Sequence, residues 1–374
     1  VHLLETQLPP ALLTITHAIT SVSTRTTTNA YIVGGAVRDL CLSHPVHDLD
    51  IITEGDSRVF GQELAKALGG TIKAVSQFGT VKLDLLGHYV DIAEAREEHY
   101  PYPGALPRVK PANIRTDLLR RDFTINAMAI SLQQASLGVL VTVERSAGDI
   151  AEKVIRVLHR QSFQNDATRL MRAVRYEQRF GFRLEKETED LARQNASMIE
   201  TISGDRVRKE ITIMLQESNK ANCLKRLDSL GVLDKIHPTL SLTDEVYQAL
   251  RNAPLKTPTL TLWAILSHRC KAEDLESLKR RLNLPRSWNH TVLDVIAVSQ
   301  VLDKLEDSTL RPSEVYRMLT GLGAHAIKAW SLLKPETTSG KWLDYYLKKL
   351  RIAKTKLTGS DLIEHGIPKG PPIG

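Results

Sequence analysis

Cysteine is scarce in this chain, and the three that occur, Cys41, Cys223 and Cys270, stand far apart. They match no Cys-x-x-Cys or mixed Cys/His ligand spacing, which excludes a disulfide framework and a structural zinc site and makes reduced thiols the expectation. Long apolar runs are missing as well. Nowhere do about 18 apolar residues follow one another, so no membrane span is expected. Val1 to Ser21 alternates apolar and polar side chains without a basic start or a small-residue cleavage site, and does not read as a secretory signal. Together these absences give a cytoplasmic expectation. Internal repeats and low-complexity tracts are also lacking.

What is present is enough chain for more than one hydrophobic core, 374 residues, so two or more packed units are expected. Lys and Arg number 50 against 43 Asp and Glu, a formal charge of +7. That moderate basic excess suits a polyanionic partner without establishing one. Short β-type runs, Ala30–Val33, Leu49–Thr53, Thr71–Val75, Thr80–Leu86 and Tyr89–Ala93, are mixed with helical pieces in the first third, an α/β or α+β pattern. From about Asp149 the strand signals stop and helical periodicity takes over, as in Leu170, Ala173 and Val174, then Ile211, Met214 and Leu215.

Two segments of the first third carry chemistry. Tyr31-Ile32-Val33-Gly34-Gly35-Ala36-Val37-Arg38-Asp39 reads as a strand, a glycine turn and a helix start, where free N–H groups bind anions and glycine lets a phosphate come close. It matches neither the Rossmann nor the P-loop glycine pattern. His47-Asp48-Leu49-Asp50-Ile51-Ile52 then sets two carboxylates one residue apart on a strand, both on one face. Two like charges so close are accounted for by divalent magnesium, which takes carboxylate oxygens and holds substrate phosphates.

Gly-Gly followed at this distance by Asp-x-Asp resembles the catalytic signature of the DNA polymerase β-like nucleotidyltransferases. In that superfamily a third carboxylate comes from a neighbouring strand; Asp91 in Tyr89-Val90-Asp91-Ile92-Ala93 matches its place, and Asp84 competes for it. Further motifs narrow the resemblance to the bacterial and eukaryotic tRNA nucleotidyltransferases and their poly(A) polymerase relatives: Leu118-Leu119-Arg120-Arg121-Asp122-Phe123-Thr124-Ile125-Asn126, the connector Gly148-Asp149 to Arg156, the segment Asp166 to Arg175, Ser203-Gly204-Asp205-Arg206 to Glu210, and Leu357 to Pro371 near the end.

The resemblance implies an α+β fold: a polymerase β-like head, a mixed sheet with helices, over 1–145, then an all-helical neck over 146–215, body over 216–305 and tail over 306–374. It implies in-line attack of a tRNA 3′-hydroxyl on the α-phosphate of CTP or ATP, adding all or part (A or CC) of the terminal CCA. Asp48, Asp50 and Asp91 would be catalytic, with Asp48 and Asp50 holding Mg2+. Gly34, Gly35, Arg38 and Arg121 would cradle the triphosphate, and Asp122 and Asn126 would position the ribose or its turn. Asp166 and Arg169 would read the base, because Asp only accepts and Arg only donates hydrogen bonds, while Arg172 and Arg175 would engage the triphosphate. Asp166, Arg169, Arg172 and Arg175 fall three apart, as along one helix face. Lys348, Lys349, Arg351 and Lys354, interleaved with Trp342, Tyr345 and Tyr346, suit the backbone of the tRNA acceptor end.

The chain departs from the family pattern in having Asn165 where a glutamate usually precedes the aspartate. Ala95 to Val109, proline-rich and expected to be a mobile loop, also has an uncommon form that leaves the choice among CCA, CC and A open. Ser267-His268-Arg269 lacks the His-Asp pair of an appended phosphohydrolase. Two alternatives stand beside this reading: a bacterial poly(A) polymerase, and a non-catalytic RNA-binding protein, which would have lost the carboxylates that Asp48 and Asp50 retain.

Overall fold

Alternation of side chains decides how the first strands sit. In Asn29–Val33 (β1), Ala30 and Ile32 face one side and Tyr31 and Val33 the other; in Leu49–Glu54 (β2), Leu49 and Ile51 join Ala30 and Ile32. The same side receives Val81, Leu83 and Leu85 of Val81–Leu85 (β4, after Thr71–Val75, β3) and Val90 and Ile92 of His88–Glu94 (β5). It is covered by helices Pro10–Thr26, through Leu12, Ile15, Ile19 and Val22, and Ser57–Leu68, through Phe60 and Leu64. The second helix begins at Asp56, whose carboxylate accepts from the Arg58 and Val59 amides at 2.8 and 3.3 Å, and ends at Gly69 with φ 64°. Asp50 and Asp91 therefore belong to the opposite side of the sheet, away from the helix-packed core.

The structure is a computed structural model and describes residues 2–353, 359–366 and 370. It divides into two compact units, 1–219 with 226–236, and 220–225 with 237–374. After β5 come Arg96–His99 (β6), Arg108–Pro111 (β7), Met128–Ser131 (β8) and Leu140–Thr142 (β9). Seven strands form one mixed sheet in the order β3-β4-β5-β2-β1-β8-β9. Its neighbours are antiparallel except for β2 and β5, which run parallel with Asp50 opposite Asp91. This α+β head is the one the sequence led us to expect.

Three local expectations are corrected. The Ala95–Val109 stretch is not an open loop throughout, because β6 and β7 pair as a hairpin with His99 opposite Arg108. Strand structure does not end near Asp149: Val154–Ile155 (β10) and Arg183–Leu184 (β11) pair in parallel, in pieces too short to show any periodicity. Asp48 stands just before β2 rather than on it, so strand alternation does not fix where it points.

The rest of the first unit is mainly helical, with Thr168–Phe180 and Gly204–Gln216 packed together. Among its described residues the regular elements of the second unit are all helices. Its centre is Ala324–Leu333, which packs on Asp244–Asn252, Thr259–Leu266, Arg286–Ser299 and Thr338–Tyr345. Trp330 on this helix donates from Nε1 to the Val295 carbonyl at 3.0 Å, and the Trp263 and Trp288 rings meet at 5.3 Å. Among the described residues no helix is long and apolar enough to cross a membrane.

Candidate active site

The turn after β1 is built for close approach. Gly34 has φ 66° and ψ −125°, a conformation for which glycine is the natural residue, and it leads directly into helix Gly35–Cys41. A Cβ at Gly34 would lie 2.8 Å from the Arg121 guanidinium. Gly34→Ala is therefore expected to strain the backbone and push Arg121 aside. A shift of about 1 Å at this point predicts a loss of about 100-fold in transfer rate with the fold retained, checked by steady-state kinetics beside a circular-dichroism melt.

Arginines dominate the cleft above this turn. About 500 Å³ is enclosed by Gly34, Gly35, Arg38, Asp50, Arg121, Asp122, Asn126, Asp166, Arg169, Arg172 and Arg175, joined by Arg96, Arg120, Arg179, Glu98, Tyr100 and Tyr176 among others. Of the residues expected from sequence, the cleft gathers all but six. Asp91 flanks Asp50 in strand register without lining the cleft, and Asp48 lies outside it. Lys348, Lys349 and Arg351 belong to the second unit. Lys354 lies outside the described residues.

Most of the cleft arginines are held by carboxylates. Arg120 gives Asp117 Oδ1 bonds of 2.8 and 2.6 Å and reaches Glu98 at 2.9 Å; Arg121 reaches Asp117 Oδ2 at 3.2 and 2.9 Å. Asp117 is wholly buried. Burial alone would raise its carboxyl, but Arg121 and Arg120 outweigh it and hold the group below the ordinary range. The sequence reading passed over Asp117, although its place three and four residues before the two arginines, at the end of helix Ile114–Leu119, is the spacing that lets a carboxylate serve both.

Asp122 and Asn126 link the turn to the neck. Asp122 accepts from the Phe123 amide at 2.8 Å and from Asn126 at 3.0 Å with one oxygen, and from Arg172 at 2.9 and 2.6 Å with the other. Asn126 in turn accepts from Arg38 at 2.6 Å. Arg38 is buried, pairs with Asp39 at 3.0 Å and lies 4.5 Å over the Phe180 ring, so its guanidinium is already occupied in bracing the turn.

Burial would raise Asp122, but Arg172, the Asn126 amide and Arg169 bring it down to about 2. A depressed carboxyl contributes its stability above the unfolded value near 4 and loses it as pH falls towards 2, here about 2 kcal/mol. Unfolding midpoints of the wild type and Asp122→Asn are thus expected to differ at pH 6 and to converge between pH 4 and 2.

Asp166 precedes helix Thr168–Phe180 rather than lying on it, and only the three arginines form the helical stripe. Its Oδ1 accepts from the Thr168 amide at 2.9 Å and from Arg206 at 2.8 Å. Arg169 donates to Ser162 Oγ and to the Arg120 carbonyl, both at 2.7 Å, which leaves its Nε–H and one hydrogen on each terminal nitrogen for a further partner.

At the sheet, Asp50 keeps exposed surface, yet the protein crowding its carboxyl raises its pKa; Arg121 opposes the rise, and Asp91 and Asp48 add to it. One Asp91 oxygen is buried without a hydrogen bond, and Lys82 stands 3.9 Å from it. Asp84, the competing carboxylate, is two residues along the adjoining strand, opposite Tyr89 rather than Asp50, and pairs with Lys73 at 3.2 Å. The unpartnered Asp91 oxygen beside a crowded Asp50 fits a hard divalent cation. Among the described residues no group of three or more His, Cys, Asp or Glu side chains is placed to hold a metal ion.

The Poly A polymerase head domain family matches residues 30–156, and the family described as probable RNA and SrmB-binding site of polymerase A matches 181–243. The A-adding tRNA nucleotidyltransferase of Geobacter sulfurreducens is 32% identical over 99% of this chain, which spans only 45% of that relative's length. That of Halalkalibacterium halodurans is 32% identical over 92% of this chain and 81% of its own. The Thermotoga maritima CCA-adding enzyme complexed with tRNA superposes with a TM-score of 0.83 at 28% identity, over 100% of this chain and 90% of that one. On this fold, this cleft and these likenesses, the chain belongs to the tRNA nucleotidyltransferase and poly(A) polymerase family.

Proposed function

We propose that this protein is a template-independent tRNA nucleotidyltransferase that completes all or part of the 3′-terminal CCA from ATP, CTP or both. The observation that carries the reading is the pairing of Asp50 with Asp91 at the foot of an arginine-lined cleft. The relatives' own substrates, tRNA and its A or CCA end, agree with it and favour it over poly(A) synthesis.

Arg121, set by Asp117 against the glycine turn, receives the triphosphate, with Arg172 and Arg175 along the neck helix. Free donors of Arg169 and the remaining oxygen of Asp166 read the Watson–Crick edge of the base, since a cytosine or adenine edge offers both kinds of group. The tRNA 3′-hydroxyl then displaces pyrophosphate from the α-phosphate in line. Asp50 and Asp91, with Asp48 beside them, would hold Mg2+, which when bound neutralises the triphosphate and activates the attacking hydroxyl. Head 1–145 and neck 146–215 supply the chemistry; body 216–305 and tail 306–374 hold the acceptor arm, with Lys348, Lys349, Arg351 and Lys354 on its backbone. Work on tRNA puts the enzyme in the cytoplasm.

Incubation of the full chain and Mg2+ with transcripts ending at the discriminator base, at C or at CC tests this directly. Addition confined to CCA positions is expected, and the step at which it begins and stops identifies an A-, CC- or CCA-adding enzyme. Long A-tails on any RNA, or no transfer at all, would overturn the reading.

A further inference from the structure

The cleft arginines differ in how firmly they are held. Arg120, Arg121 and Arg172 each have a carboxylate oxygen within 2.9 Å. Arg175 and Arg179 do not. Arg175 stands 3.9 Å from Glu210 and 3.7 Å from Glu217, and Arg179 stands 3.8 Å from Glu217. These separations exceed hydrogen-bond range, so the attraction is real but undirected. Arg175 is buried and its Nε has no hydrogen-bond partner, nor has the buried Oε2 of Glu210. A buried guanidinium with an idle donor beside a cleft lacks a partner that the protein does not itself supply.

Glu217 is also poorly placed for a permanent counter-ion. It occupies the C-cap of helix Gly204–Gln216, where the helix end is already negative and an added carboxylate is disfavoured. Arg179 sits in the last turn of its own helix, where a cation is favoured. Arg175 and Arg179 project one turn apart from one helix and line the same cleft as Gly34, Gly35 and Arg121.

We propose that Glu217 is a displaceable counter-ion: it steadies Arg175 and Arg179 while the cleft is empty, and a polyphosphate, the outer phosphates of the nucleotide or released pyrophosphate, takes its place. Phosphate oxygens accept two guanidinium hydrogens at once, which the Glu217 carboxylate, held at 3.7 and 3.8 Å, does not. Glu217 thereby keeps the resting affinity for polyphosphate moderate, which favours release of pyrophosphate after each transfer. The inference rests on the nucleotidyltransferase reading but adds to it two residues, Glu217 and Arg179, with defined and opposite roles.

Equilibrium binding of inorganic pyrophosphate to the full chain, without tRNA or nucleotide, separates this inference from the reading of the reaction. Glu217→Gln removes the competing charge and is expected to bind pyrophosphate about five- to tenfold more tightly than wild type, and to be more strongly inhibited by it in the tRNA extension assay. Arg179→Gln, a change at a half-exposed side chain that the fold tolerates, is expected to bind it several-fold more weakly. Unchanged or weaker binding by Glu217→Gln, or unchanged binding by Arg179→Gln, would overturn the proposal. Should Glu217→Gln fail to fold, the Arg179→Gln measurement decides alone. Pyrophosphate binding that responds as expected in a protein inactive on tRNA would leave this inference standing and remove the proposed reaction.

Discussion

Asp50→Asn is expected to lower nucleotide transfer by about 10³-fold or more while leaving the fold intact. The carboxylate lines the cleft, within electrostatic reach of Arg121 and beside Asp91 in strand register. Replacing it with an amide removes an anionic ligand at the place where charge moves during transfer, the kind of change that costs most in a preorganised site. Stability should not fall. Crowding and the neighbouring Asp91 and Asp48 already oppose the charged form of Asp50, so neutralising it relieves repulsion. Extension of a CC-ended transcript and a thermal melt of the same preparation check both halves; activity within tenfold of wild type would remove Asp50 from the chemistry.

The second large effect lies behind the cleft. Asp117→Ala is expected to destabilise the first unit by about 3–5 kcal/mol, because it strips two partly buried arginines of their shared counter-ion. In a unit of this size that corresponds to a fall in melting temperature of roughly 10 °C. Asp117→Asn keeps the volume and part of the hydrogen bonding and should cost less. Urea unfolding of both variants measures the difference, and loss of nucleotide binding should track it, since Arg121 takes its position from the same carboxylate.

The residues that could be read from sequence are those whose role depends on local geometry. Period-two alternation was enough to put Asp50 on the strand face opposite Leu49 and Ile51, though not to place Asp48, which precedes the strand, and two adjacent glycines marked a turn whose positive φ falls on Gly34. Legibility fails where the partner is remote or the element short. Nothing local in Asn126 says that it joins Arg38 to Asp122, because that bridge spans separate elements. The choice between Asp84 and Asp91 needs the strand order, for only the insertion of β5 between β4 and β2 brings Asp91 alongside Asp50. The β6–β7 hairpin was hidden by its prolines, which all fall between the paired residues or at the last of them, Pro111.

The strand order also has a bearing on how the protein is made. β3, β4 and β5 follow one another as a meander that can pair locally as the chain leaves the ribosome, and β1 and β2 are antiparallel neighbours. The parallel seam between β2 and β5 joins these two pieces and closes a long loop, the slower kind of pairing. Because that seam is where Asp50 meets Asp91, a nascent or partly opened head can carry its arginines and its glycine turn and still lack a paired carboxylate centre. Catalytic competence would then be among the last properties this chain acquires during synthesis and among the first it gives up when the meander pulls away.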